Sequence, residues 1–185
     1  EAFDIAEKIG ALKVFDAANS HPVTQLALLN REMHLHLPGA PMPKVAEWYR
    51  RRASRDIARA DLVLCPSTFV AESMQDNGVS PEKCVTIPFG ADPHRFTPRK
   101  KLPGHPRFIC VGTLSVRKGH QYLFEAFDLL KKAMPDAELI CVGDILSNFL
   151  PIFRKWQHTF RHITYMPHSE LSQLLQECTA FVLPS

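Results

Sequence analysis

The feature that most constrains this chain is an alternation of two periods. Short apolar runs at 11–17, 62–65, 84–88, 107–111, 137–142, 162–165 and 180–183 read as strands. Between them, amphipathic stretches at 2–10, 23–36, 44–60, 67–77, 118–133, 149–158 and 169–178 read as helices. Gly10 and Gly78 are suited to end helices, and Ser67 to begin one. In the helix at 44–60, Trp48, Tyr49 and Ile57 are expected to form the buried stripe. Strands that each return through a helix pair in parallel, with helices covering both faces of the sheet.

The alternation breaks once. Residues 89–106, FGADPHRFTPRKKLPGHP, hold Pro93, Pro98, Pro103 and Pro106 among glycines and basic residues, which is linker chemistry. The expected organisation is therefore α/β, with two Rossmann-like lobes. One takes in residues 1–92 and the other 107–185, joined by a linker at 93–106.

Charge and cysteine usage narrow the functional class. A formal charge of +3 suits an anionic small ligand or a lipid surface without requiring nucleic acid. Cys65, Cys84, Cys110, Cys141 and Cys178 are odd in number and contain no C-x-x-C pair. They read as small buried hydrophobes in a reducing cytoplasm. No apolar run reaches the roughly 20 residues of a membrane-spanning helix. The helix at 44–60 carries Lys44, Arg50, Arg51, Arg52, Arg55 and Arg59, a basic surface that suits a solvated face or a peripheral contact with anionic lipid. His34 and His36 stand two apart on a helix and diverge, so no metal site is expected.

One stretch carries chemistry. In RFICVGTLSVRKGHQYLFEAF an apolar strand ends at Gly112, a short loop follows, and a helix is expected to begin near Lys118. Ligands of open α/β sheets bind where strands give way to helices, and free N–H groups at a helix start attract phosphate. Arg117 and Lys118 would stand at the positive end of that helix, each costing about 0.3–1 kcal/mol unless an anion compensates. Spacing alone fits two solvated basic residues equally well. A nucleotidase P-loop is excluded, because Arg117 and Gly119 replace its second glycine and its Ser/Thr. No G-x-G-x-x-G follows a strand, which argues against a dinucleotide oxidoreductase.

Several segments, in order along the chain, resemble the retaining GT-B glycosyltransferases of family 4. They are ALKVFDAANSHPVTQ (11–25), ARADLVLCPSTFV (58–70), VTIPFGADPHRF (85–96), VGTLSVRKG (111–119), LICVGD (139–144) and ITYMPHSELSQLLQECTAFVLPS (163–185). The resemblance implies transfer of a sugar, with retention and without a metal or other cofactor, from a nucleoside diphosphate sugar. The acceptor would be a saccharide, a lipid or a small molecule. By that match Lys118, assisted by Arg117, neutralises the leaving diphosphate, while Gly112 lets it approach the backbone and Thr113 is among the residues that bind the donor. Gly143 and Asp144 would lie near the nucleotide, although a plain turn explains them equally. His21 would bind the transferred sugar or position the acceptor; a loop histidine before proline is the alternative.

Three positions depart from the family pattern. Thr113 stands where arginine is common, Phe89 where asparagine is common and Met166 where glycine is common. The family's paired-glutamate segment would follow Ser185. The chain thus reads as an internal fragment with both lobes incomplete, expected to be inactive alone and cytoplasmic. A non-catalytic module binding nucleotide sugar or phosphate is the alternative function. A receiver-like regulatory domain would require aspartates clustered at strand ends, and Asp144 stands alone.

Overall fold

The computed structural model describes residues 2–40, 44–94, 96, 97 and 104–185. Much of the expected linker, residues 95 and 98–103, lies outside this set. The chain divides into two compact units, one of residues 1–31 and 41–90, the other of residues 32–40 and 91–185. The expected first lobe of 1–92 ends close to the first unit's limit, but residues 32–40 group with the second.

The first unit contains α1 (Ala2–Ile9), β1 (Val14–Asp16), α3 (Lys44–Arg59), β2 (Leu62–Cys65), α4 (Thr68–Gln75) and β3 (Cys84–Thr86). Helix α2 (Pro22–His36) starts here as well. The strands form one parallel sheet in the order β1-β2-β3, with Val14 opposite Leu62 and Val63 opposite Cys84. Alternation places Val63 and Cys65 in a core with Ala17, Ile57, Ala60, Val70, Ala71 and Met74.

The stripe expected on α3 is corrected. Ile57 is buried, but Trp48 is 61% and Tyr49 41% exposed. Ala53 and Ile57 form the buried face instead, continued by Ala60 just past the helix end, at the i, i+4, i+7 spacing of one side of a helix. Trp48 lies off that line, and the Arg52 guanidinium sits 5.4 Å from its ring centroid.

The second unit runs β4 (Arg107–Val111), α5 (His120–Ala133), β5 (Glu138–Val142), α6 (Leu150–Trp156), β6 (Arg161–Ile163), α7 (His168–Gln176) and β7 (Ala180–Phe181). All four strands are parallel, in the order β6-β5-β4-β7. Both faces of this sheet are covered, as expected for parallel strands. Ile109, Ile140 and Val142 pack with Leu171 and Cys178 on one side. On the other, Phe124 is fully buried, stacks on Phe160 at 4.3 Å between centroids, and meets Phe149. Burial of a side chain of that size stabilises the fold by about 1.5–3 kcal/mol. Four cysteines are buried, Cys84 is half-buried, and all five thiols are free.

Strand order sets the position of the ligand crevice. From β4 the chain winds outward through β5 to β6, then returns to place β7 on the other side of β4. Connections therefore diverge between β4 and β7, and the crevice of an open α/β sheet lies beyond the carboxyl ends of such a pair.

Candidate functional site

The loop after β4 begins at Gly112, whose φ of +136° favours glycine strongly over any residue with a Cβ. The space a side chain would occupy there is open, with no atom within 4 Å. Gly143, at the end of β5, is more tightly confined. Its φ is +147°, and a Cβ would strike the Gly112 carbonyl. The two loops run on side by side past their strands. Leu114 N–H donates to the Asp144 carbonyl at 2.7 Å, and Leu146 N–H donates to the Leu114 carbonyl at 3.1 Å.

Beyond Leu114 the backbone folds into a 3₁₀ turn, Val116–Lys118, before α5 begins. The expected start of the helix at Lys118 is therefore corrected to His120, with Gly119 as its N-cap in the left-handed region at φ +70°. A Cβ on Gly119 would collide with the Pro184 carbonyl, in the segment that follows β7. The arrangement of N–H groups changes with the helix start. Lys118 and Gly119 donate their N–H groups to the Ser115 and Val116 carbonyls, so neither offers a free helix-terminal donor. The loop instead leaves the N–H groups of Thr113, Val116 and Arg117 without a hydrogen-bond partner among the described residues. The Lys118 ammonium and Arg117 guanidinium likewise have no ion pair there. Thr113 and Arg117 are exposed and Lys118 is half-buried. Three open amides and two uncommitted cations in one short loop are the chemistry of an anion site.

Six of the seven residues singled out from sequence thus belong to one unit. Gly112, Thr113, Arg117 and Lys118 share the β4 loop; Gly143 and Asp144 form the β5 loop packed beside it. The Asp144 carboxylate is exposed and accepts from Ile145 N–H at 2.8 Å. His162 donates from Nε2 to the Gly143 carbonyl at 2.8 Å.

His21 lies in the first unit. It follows β1 and caps α2, its Nδ1 accepting from Val23 N–H at 3.3 Å while its own N–H donates to Ser73 Oγ at 2.9 Å. The ring is only 5% exposed, and burial holds its pKa below the ordinary 6.5. It lines a small cavity with Ser54, Asn77, Ser80 and Lys83. The neutral ring, with Nδ1 accepting, keeps its proton on Nε2.

Sequence reasoning missed His120 and Gln121, which are buried directly behind the loop. The signal was present, since His120 begins the stripe His120, Phe124, Phe127 at i, i+4 and i+7. Much of the basic face of α3 proves to be ion-paired. Arg50 and Arg51 share Glu47 at 2.7 and 2.8 Å, and Arg59 reaches Asp4 and Glu7 at 2.7 and 2.9 Å. No helix among the described residues is long and apolar enough to cross a membrane.

Comparison with known proteins bears on both units. The model of Glycosyltransferase Family 4 matches residues 26–95, and that of Glycosyl transferases group 1 matches residues 105–185. None of the curated proteins matches the chain. Among solved structures, HepE from Anabaena in complex with UDP and glucose is similar at a TM-score of 0.60 and 15% identity, over 97% of this chain and 55% of that one. WaaG, a glycosyltransferase involved in lipopolysaccharide biosynthesis, gives 0.61 and 16%, over 95% and 50%. TarM from S. aureus, in a complex that includes UDP, gives 0.63 and 12%, over 94% and 32%. This chain thus spans about half the length of the first two and a third of TarM. Two consecutive family matches, all-parallel sheets and this set of structural neighbours agree: the chain belongs to the group 1, family 4 glycosyltransferases of the GT-B fold.

Proposed function

We propose that the protein containing this chain moves a sugar from a nucleoside diphosphate sugar to an acceptor, with retention and without a metal, and that residues 112–118 hold the diphosphate. The observation that carries this reading is the loop after β4, at the strand divergence, with its open N–H groups on Thr113, Val116 and Arg117 and its uncommitted Lys118 and Arg117 side chains. UDP or UDP-glucose in the HepE complexes and UDP in that of TarM support a nucleoside diphosphate as the ligand class.

As the bond between C1 and the diphosphate oxygen breaks, negative charge builds on the leaving oxygen. Cations fixed before the reaction stabilise that charge more in the transition state than in the ground state, which lowers the barrier. Lys118 and Arg117 fill this role. Gly112 gives the phosphates room against the backbone, since open space stands where a side chain would lie. Thr113 offers an N–H to the phosphates. Gly143 and Asp144 border the nucleotide, and the His21 Nε2–H donates to the sugar or orients the acceptor. Saccharides, lipids and small hydroxyl compounds are the acceptor classes. A cytoplasmic location suits five free thiols. The exposed Trp48, with Arg51 and Arg52 beside it, supplies a peripheral contact with anionic lipid.

Calorimetric titration of the full-length protein with UDP tests the site. Lys118→Ala is expected to weaken binding by at least about tenfold, and Lys44→Ala to leave it unchanged. Equal affinities for the two variants would refute the assignment.

A further inference from the structure

Cations bind a diphosphate well only if the loop bearing them is held in place before the ligand arrives. In this loop the holding comes from behind, from two side chains in the first turn of α5. His120 is 1% exposed and Gln121 2%. The His120 Nδ1 lies 3.3 Å from both the N–H nitrogen and the carbonyl oxygen of Ser115, and its Nε2 lies 3.4 Å from Cys110 Sγ on β4. Gln121 donates from Nε2 to the Val116 carbonyl at 3.3 Å. The main chain leading into the 3₁₀ turn is thereby fixed just before Arg117 and Lys118. Phe124 and Phe149 hold the imidazole, each with its centroid 6.1 Å away.

The contact is satisfied in either neutral tautomer. With the proton on Nε2, the ring accepts from Ser115 N–H and donates to the Cys110 sulfur. With the proton on Nδ1, it donates to the Ser115 carbonyl and accepts from the Cys110 thiol. Burial keeps the ring neutral, and the nearby Lys118 charge acts in the same direction. Burial also pushes the Cys110 thiol up to about 11, so it remains available as donor or acceptor.

We propose that His120 is the positioning residue of the donor loop: it touches no substrate, and through Ser115 it fixes the turn that presents Arg117 and Lys118 to the diphosphate. The inference rests on the diphosphate reading of that loop, and the test separates the two.

Four variants of the full-length protein are compared by titration with UDP and with inorganic pyrophosphate, by thermal unfolding, and by steady-state kinetics. His120→Phe keeps the ring packing and removes both nitrogens. His120→Asn keeps an amide where Nδ1 lies, and His120→Gln keeps one only where Nε2 lies. Lys118→Ala reports on the loop itself. The Phe and Gln variants are expected to weaken both ligands and raise the donor KM by about tenfold. The acceptor KM should stay within about twofold and the Asn variant within about threefold of the parent. Parent-like affinity in the Phe variant, or an Asn variant as weak as the Phe variant, would overturn the proposal. Should the Phe variant not fold, parent-like affinity in His120→Gln overturns it equally. If Lys118→Ala binds UDP like the parent, or the parent binds neither ligand, the diphosphate reading itself fails and this proposal with it.

Discussion

Two strand-to-helix turns in this chain share an architecture and differ in chemistry. After β2, Ser67 stands in extended backbone, and its Oγ accepts from Val70 N–H at 3.3 Å, so α4 is capped by its own side chain. The turn into α2 is closed the same way, by the imidazole of His21. After β4 the cap is Gly119, which has no side chain, and two cations precede the helix. A helix start that supplies its own acceptor and carries no cation has little use for an anion, whereas one with a cap lacking a side chain and with unmatched positive charge does. The fold repeats; of these three turns, only the one after β4 carries cations without an ion pair among the described residues.

The contrast is most exposed at Lys118. In the full-length enzyme Lys118→Ala is expected to raise the barrier by roughly 3 kcal/mol, a hundredfold or more in turnover. A steady-state assay with saturating acceptor measures it, and a loss under threefold would break the contrast. Gly119→Ala comes next, because the left-handed backbone and the Pro184 carbonyl both oppose a Cβ. About 1–3 kcal/mol of stability should go, with a parallel loss of UDP affinity, as read by chemical denaturation and calorimetry. Ser67→Ala is the counter-test. It should cost about 1 kcal/mol of stability and leave UDP affinity untouched, since that turn carries no cation. His21→Asn, which keeps an acceptor near Nδ1, should preserve the cap while lowering turnover.

Acidification gives the smallest effect. Burial holds His21 and His120 below their ordinary pKa of 6.5 when folded. As pH falls through about 6.5 the unfolded chain takes up protons that the folded chain refuses, so stability declines with acidity. Glu47 behaves separately. Its arginine partners hold it at about 2, against an ordinary 4.5, so its contribution is present above 4.5 and lost only below that. Thermal unfolding should therefore show a first decline between roughly pH 7 and 5.5 that weakens in His21→Asn. An unchanged slope would place that titration elsewhere.

The alternation of periods made the layered, parallel architecture legible, and β2 and β4 fall where the apolar runs LVLC and RFICV predict. Ser67, Gly10 and Gly78 take the capping or left-handed conformations expected of them. The start of α5 was displaced by two residues because helical periodicity does not distinguish a 3₁₀ turn from the first turn of an α-helix. Trp48 and Tyr49 misled because large apolar side chains suggest a core, although the hydrophobic side chains that α3 buries are those of Ala53 and Ile57. His120 escaped notice for the opposite reason. A polar residue on a buried stripe draws no attention until the loop it secures is seen.

The abutment of Gly119 on the Pro184 carbonyl reaches beyond one glycine. It holds the start of α5 and the segment after β7 together through a main-chain approach, much as a gauge block sets the gap of an instrument. Side chains beside this contact can then vary without changing its spacing, whereas any side chain at position 119 itself would force the two segments apart.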